Sequence, residues 1–110
     1  MKYTMYQIAN MKDSRYGFMR WDFAKKHGFN INDYVSTYDS SIDETDRYVA
    51  LEKLFTIFNV HRPENFTGHS LSVSDIVELD NCFSTEDGEY KTRYFYCDSF
   101  GWQEITEEVA

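Results

Sequence analysis

The chain carries one proline, Pro63, and five glycines. So little backbone punctuation excludes a collagen repeat or a Pro/Gly-rich linker. No apolar run approaches the roughly 20 residues of a membrane helix. The opening MKYTMYQIANMKD also lacks the unbroken apolar core of an export signal. The two cysteines, Cys82 and Cys97, stand in no metal-binding spacing. No HxxxH, CxxC or EF-hand pattern and no Gly-rich phosphate loop occurs, so no metal and no cofactor is expected. Positive charge is scarce: 11 Lys/Arg against 19 Asp/Glu leaves a net charge of −8. Phosphates require cations, so direct binding of DNA or RNA is not expected.

What is present points to one folded unit. The 110 residues suit a single domain spanning 1–110, large enough to bury a core without metal or disulfide staples. Hydrophobic residues at 42% argue against disorder, and aromatics at 18% exceed what a core alone explains. The surplus Tyr and Trp are available to a binding surface. Charge is uneven. Residues 1–27 carry six Lys/Arg against Asp13 and Asp22, and residues 28–110 carry five against seventeen Asp/Glu. An acidic surface of this kind suits a protein partner with a basic surface, or simply keeps a small domain in solution.

Local pattern predicts the elements. Alternation from Lys2 to Ala9 reads as a strand, with Tyr3, Met5 and Gln7 on one face and Thr4, Tyr6 and Ile8 on the other. Phe18–His27 reads as a short helix stopped by Gly28. Asp33–Tyr38 alternates as a second strand. Ser41 and Glu44 have the spacing of a capping box, followed by a helical stripe at Leu51, Leu54, Phe55 and Phe58, with Pro63 beyond its end. Phe66 is expected back on the core, Gly68 in a conformation other residues resist, and Ser70–Asp75 in a helical turn. Ile76 opens a strand, Asp87–Gly88 turns it, and Arg93–Phe100 returns. That turn opposes Cys82 to Arg93 and Cys97 to Glu78, so the thiols are out of register and both are expected reduced, in a cytoplasmic setting. Trp102–Thr106 reads as a last short strand and Glu107–Ala110 as a frayed end. Together these predict an α+β fold: a single compact domain whose largely antiparallel sheet of about four or five strands packs against one main and one short helix.

Four segments carry a resemblance. Phe58–Asn59, Pro63–Glu64, the run Gly68 to Asp75 (GHSLSVSD) and Tyr96 to Gly101 (YCDSFG) resemble the YodL-like family of Gram-positive bacteria. The match is dense over about half the chain and looser at the first strand and Tyr34–Tyr38. Such domains are similar to ones carried on plasmids and conjugative elements, often near anti-restriction functions. The resemblance implies a fold and a mobile-element setting and supplies no catalytic residues.

The motif residues read most simply as caps that hold a corner between helix and sheet. The alternative gathers His61, His69, Asp75 and Asp98 in a site. His69, Ser70 and Asp75 contain the letters of a hydrolase triad without the GxSxG setting or an oxyanion loop. A carboxylate-based nuclease has no sequence feature that selects its pair. No enzymatic activity is therefore expected. The leading expectation is a mobile-element-encoded inhibitor of a host nucleic-acid-handling defence enzyme. The candidate is a type II CRISPR effector nuclease, whose guide and target lie in positively charged channels. A binder of cell-division or cytoskeletal machinery is the alternative. Candidate contacts are Asp39, Asp43, Glu44 and Asp46 before the main helix and Glu86, Asp87 and Glu89 at the hairpin tip, with Tyr38 and Tyr90 as apolar anchors.

Overall fold

Alternation along the first strand sets the two faces of a central sheet. The structure, a computed structural model, describes residues 1–109. Its strands are β1 (Lys2–Ile8), β2 (Tyr34–Ser41), β3 (Ile76–Ser84), β4 (Glu89–Cys97) and β5 (Trp102–Glu104). They form one sheet in the order β2-β1-β3-β4-β5, and every neighbouring pair is antiparallel. The helices are α1 (Trp21–Lys26), α2 (Arg47–Val60) and α3 (Thr106–Val109). The α+β expectation holds, with one more short helix than the sequence predicts. Among the described residues no helix is long and apolar enough to cross a membrane.

Directly opposed residues share a face of a sheet. Tyr3 pairs with Leu79, and Met5 with Val77, which pairs in turn with Phe95. These side chains form one apolar layer with Leu51, Leu54 and Phe58 of α2. On the other face, Ile8, Ile76, Tyr96 and Ile105 pack with Tyr16, Trp21, Ala24 and Tyr34. That second core covers only part of its face. Much of the aromatic surplus lies inside: Phe66 folds back on Phe58 with ring centroids 4.9 Å apart, and Trp21 meets Phe29 at 4.9 Å.

Several local expectations are corrected. Ser41 is no capping residue. It closes β2 opposite Lys2, and Ile42 N–H continues the ladder to the Met1 carbonyl at 2.8 Å. The cap of α2 is Asp46, whose Oδ1 accepts from Tyr48 N–H and Val49 N–H, both at 3.0 Å. Glu44 precedes the helix and pairs with Lys53 instead. Phe55 points outward at 40% exposed, and Ala50 takes the inward position beside Leu51, Leu54 and Phe58. Helix α1 begins at Trp21, because Phe18 adopts φ 64°. Asp98 Oδ1 accepts the Trp21 N–H at 3.1 Å across 77 residues of chain. Gly28 ends that segment with φ +86°.

Gly68 is required for space rather than for conformation. A Cβ there would meet Gln7 Oε1 and would lie 2.7 Å from Phe66 Cζ. Ser70–Asp75 forms no helix. Asp75 Oδ2 accepts Ser72 N–H at 2.9 Å while Asp75 N–H donates to Ser72 O at 3.0 Å, and Ser74 takes φ 85°.

The hairpin is longer than a two-residue turn. Its loop spans 85–88, with Ser84 opposite Glu89, and an irregularity between Leu79 and Cys82 places Asn81 at φ 47°. Cys82 therefore faces Lys91 and Glu78 faces Tyr94, in place of the expected partners. Both cysteines are nevertheless free and buried. Burial raises the Cys82 thiol and pushes Cys97 up to about 12. At the C-terminus, residues 106–109 are helical rather than frayed, and Ala110 lies outside the described residues.

Candidate binding face

The part of the sheet left open beside the second core is acidic. Thr4 pairs with Asp39 on one side and Glu78 on the other, and Glu78 pairs with Tyr94. Strand pairing thus sets Asp39, Thr4, Glu78 and Tyr94 in one row across β2, β1, β3 and β4. Asp80, two residues along β3, shares their face and accepts a hydrogen bond from Thr92 Oγ1 at 3.0 Å. Glu78 Oε1 accepts one from Tyr6 Oη at 3.2 Å. A shallow groove of about 460 Å³ runs over Lys2, Thr4, Asp39, Glu78 and Asp80.

A second groove, about 760 Å³, continues from it around the end of the sheet. Lys2, Ser41 and Asp80 line both, and the second adds Glu44, Asp46 and Tyr90. Arg47, the first residue of α2, fastens the hairpin beside this groove. Its Nη1 donates to Phe83 O at 3.4 Å and its Nη2 lies 3.7 Å from Glu86 Oε1. Residues before the helix and residues at the hairpin, some forty positions apart in sequence, therefore border one surface.

The individual carboxylates differ in what they are free to do. Asp39 and Asp43 are exposed, and neither forms an ion pair among the described residues. Asp46 is engaged as the α2 cap. Glu44 Oε2 lies 2.8 Å from Lys53 Nζ, and that hydrogen bond holds its carboxyl below the usual range. Glu86 is well exposed despite Arg47, at 79% of its side chain. Glu89 lies 3.8 Å from Lys91 Nζ. Asp87 serves the fold: its Oδ1 meets Arg93 Nη2 at 2.7 Å, and this bond draws its carboxyl well below the ordinary value.

The two tyrosines also part company. Tyr38 opposes Met5 and turns toward α2, where it packs edge-on against Phe58 at 5.4 Å and Phe66 at 6.0 Å. It belongs to the core margin. Tyr90 is 68% exposed and leans on Phe83 with centroids 4.9 Å apart. Glu78 and Asp80 are the face residues that sequence reasoning missed. Their signal was the alternation Ile76-Val77-Glu78-Leu79-Asp80, which puts both acids opposite to Val77 and Leu79.

The motif residues do not gather as one site. His61 caps the exposed C-terminal end of α2, and Asp98 holds α1. His69 and Asp75 do meet, at 3.7 Å between Nε2 and Oδ1. Ser70 contributes its carbonyl to His69 Nδ1 at 2.7 Å, so no hydroxyl stands in line with that pair. Among the described residues no group of three or more His, Cys, Asp or Glu side chains is placed around a common metal position.

A family model described as the YodL-like domain matches residues 2–107. No curated protein and no solved structure gave a match.

Proposed function

The chain belongs to the YodL-like domain family, and from that premise we propose that it is a non-enzymatic inhibitor that binds a basic surface of a host nucleic-acid-handling defence enzyme. The single observation that carries this reading is the convergence of Asp39, Glu78 and Asp80 with the helix-entrance carboxylates Glu44 and Asp46 on two connected grooves, with Glu86 paired to Arg47 beside them and Tyr90 exposed at their edge. Lys2 and the Met1 ammonium are the cations there, and the ammonium is already bonded to the Ile42 carbonyl at 2.8 Å. A surface of this sign attracts a protein groove built to hold phosphates and repels nucleic acid itself. Exposed Tyr90 supplies the kind of aromatic anchor that gives an otherwise electrostatic contact its dwell time.

The candidate target is a type II CRISPR effector nuclease, with guide loading or DNA binding as the blocked step. Its channels are basic because they hold a heteroduplex by its backbone. An acidic domain that docks there competes with RNA or DNA for the same cations. The mobile-element setting implied by the family motifs favours such a target over cell-division or cytoskeletal proteins.

The test is an order-of-addition cleavage assay with purified nuclease, guide, target DNA and the full chain. Inhibitor added before guide should block cleavage, and guide added first should protect. The variant Asp39→Lys/Asp43→Lys/Glu86→Lys/Glu89→Lys should lose inhibition while melting normally, since it leaves the structural Asp46 and Asp87 in place. Inhibition that is indifferent to order and to these reversals would remove electrostatic competition as the mechanism. No inhibition of any such nuclease by the wild-type chain would remove the target class.

A further inference from the structure

Beneath the motif lies a buried polar knot that the proposed binding face does not use. Gln7 projects from β1 and is 2% exposed, and Asp75 is completely buried at the foot of β3. Gln7 Nε2 spends its two hydrogens on His69 O at 2.8 Å and Asp75 Oδ2 at 3.0 Å. Asp75 Oδ2 also accepts Ser72 N–H at 2.9 Å. Three buried atoms here meet no protein hydrogen-bond partner: Gln7 Oε1, His69 Nε2 and Asp75 Oδ1.

The tautomer of His69 follows from its neighbours. Its Nδ1 lies 2.7 Å from the Ser70 carbonyl, and a carbonyl only accepts, so Nδ1 carries a hydrogen. The hydrogens of Gln7 Nε2 are already used, which makes its 3.2 Å approach to Nδ1 a contact and not a donation. A neutral His69 therefore presents a lone pair at Nε2. That lone pair faces Asp75 Oδ1 across 3.7 Å. Two buried acceptors turned toward each other, with no donor between them, are a repulsive arrangement unless one proton is added.

We propose that His69 Nε2 and Asp75 Oδ1 form a proton-binding site in which one proton, held on either atom and donated to the other, closes the corner between β1 and the start of β3. The surrounding groups leave the proton as the natural counter-ion. Facing Asp75 from the other elements are Tyr34, Tyr96 and Cys97, each neutral at physiological pH, and no Lys or Arg reaches it. Tyr34 donates its hydroxyl to Ser74 O at 2.6 Å and Tyr96 donates to Met19 O at 2.6 Å, so neither is turned toward the carboxylate as a donor. The Phe18 ring lies 6.0 Å from the His69 ring and is tilted 59° to it; the His69 side chain stays 37% exposed while its Nε2 is buried against Asp75. Burial, against the opposing pull of Gln7, Ser72 and His69, pushes the Asp75 carboxyl up to about 6.

The direction of the pH effect follows. A carboxyl raised in the folded state holds its proton where the unfolded chain has released it. The associated stabilisation is complete below the unfolded value of 3.8 and is lost as pH rises through about 6. In the unfolded chain His69 keeps a proton up to the ordinary histidine value of about 6.5, so the pair holds one proton in either state over most of that interval and the net pH dependence of the wild type is small. Asp75→Asn supplies a permanent N–H at the Oδ1 position while its remaining oxygen still accepts from Gln7 and Ser72. It imitates the protonated carboxyl and requires a neutral His69 to accept from it, so the variant should lose stability relative to wild type as pH falls below about 6.5, where the unfolded histidine takes a proton.

Two measurements on the full chain decide the matter. Urea unfolding from pH 4 to pH 7.5 compares wild type with Asp75→Asn. The stability difference between them should shift against the variant as pH falls below about 6.5. A variant that retains the wild-type pH dependence overturns the proposal. Carbon-13 and nitrogen-15 NMR titration of the wild type follows the Asp75 carboxyl carbon and the His69 ring nitrogens, and it serves even where the variant fails to fold. One step seen at both residues supports a shared proton. Independent titrations, with Asp75 at the ordinary carboxylate value, overturn it.

Discussion

Arg93 Nη2 lies 2.7 Å from Asp87 Oδ1, and the two ends of this contact sit in different worlds. Arg93 is 2% exposed on β4, whereas a third of the Asp87 side chain reaches solvent at the hairpin loop. The guanidinium also donates from Nε to Cys82 O at 2.9 Å, from Nη2 to Glu89 O at 2.9 Å, and from Nη1 to Glu104 Oε2 at 3.1 Å. One arginine thus ties β3, β4, the loop and β5 together. Removing it strands two carboxylates and a buried carbonyl, so Arg93→Met should cost about 3 kcal/mol in urea unfolding. Asp87 gives the pH signature. Its carboxyl is depressed in the folded state, so its contribution is present above the ordinary carboxylate range and fades as pH falls below about 4. Asp87→Asn should lower Tm at pH 7, and the gap from wild type should narrow in acid.

The helix start offers a contrast between two short polar side chains in one segment. Asp46 Oδ1 satisfies two backbone N–H groups of α2, and Ser41 satisfies none of them. Asp46→Ala should cost about 1 kcal/mol. Ser41→Ala, at an exposed position of edge strand β2, should leave the melting temperature nearly unchanged. A larger loss at Ser41 would restore the capping-box reading.

Gly68 and Gly28 are predicted to fail for different reasons. At Gly68 the added methyl meets the Phe66 ring at 2.7 and 2.9 Å and the amide of Gln7, which is locked in the polar knot and has no room to yield. Gly68→Ala should cost about 2 kcal/mol through overpacking. At Gly28 nothing lies within 4 Å of the new atom, but φ is +86°. Gly28→Ala should cost about 1 kcal/mol through backbone strain, and Gly28→Asn less, because asparagine tolerates that region. Thermal unfolding of the three variants separates crowding from conformation.

Much of this architecture was legible because it is local. Period-two alternation located β1 and the start of β3, and the i, i+3, i+7 spacing of Leu51, Leu54 and Phe58 located the buried stripe of α2. The misreadings share a cause: a long-range partner overrode a local pattern. Ser41 was claimed by Lys2 across the sheet, and Phe18 N–H was claimed by Ser74 Oγ, 56 residues away. The four-residue loop 85–88 gives Cys82 its partner Lys91, and the irregularity at Asn81 shifts the register once more beyond it, so neither follows a two-residue turn. The proposed binding face was legible only as charge content. That Glu78 and Asp80 join Asp39 depends on which strands are neighbours, and strand order is not written in any one segment.

The cysteines provide a probe of the core. Burial raises both thiols, and Cys97 reaches about 12, so almost no thiolate exists at pH 8. A thiol reagent should label neither Cys82 nor Cys97 in the native chain on the timescale of minutes, and both in urea. Because Cys82 lies beside Arg93 in the sheet, Arg93→Met should unmask Cys82 before Cys97. Simultaneous labelling would mean that β3, β4 and the hairpin open as one unit.

The proposed binding face makes its own demand on salt and on tyrosine. Asp39, Asp80 and Glu86 are all exposed, and they come from β2, β3 and the hairpin loop. Exposed charges act mostly on association rate and are screened beyond about 8 Å at physiological ionic strength. Any single reversal should change affinity for a basic partner by no more than about threefold. The triple reversal Asp39→Lys/Asp80→Lys/Glu86→Lys changes the field of the whole groove and should weaken binding by at least about tenfold at low salt, mainly through a slower on-rate. Raising salt should shrink the wild-type advantage toward that of the variant. Tyr90→Ala removes exposed area that rests on Phe83 and crosses no core layer. It should leave Tm alone and speed dissociation, with little effect on the on-rate. Surface plasmon resonance against the candidate nuclease, at two salt concentrations, separates the two effects. A triple reversal that binds as tightly as wild type, with the same salt dependence, would mean that these carboxylates serve only to keep the domain in solution.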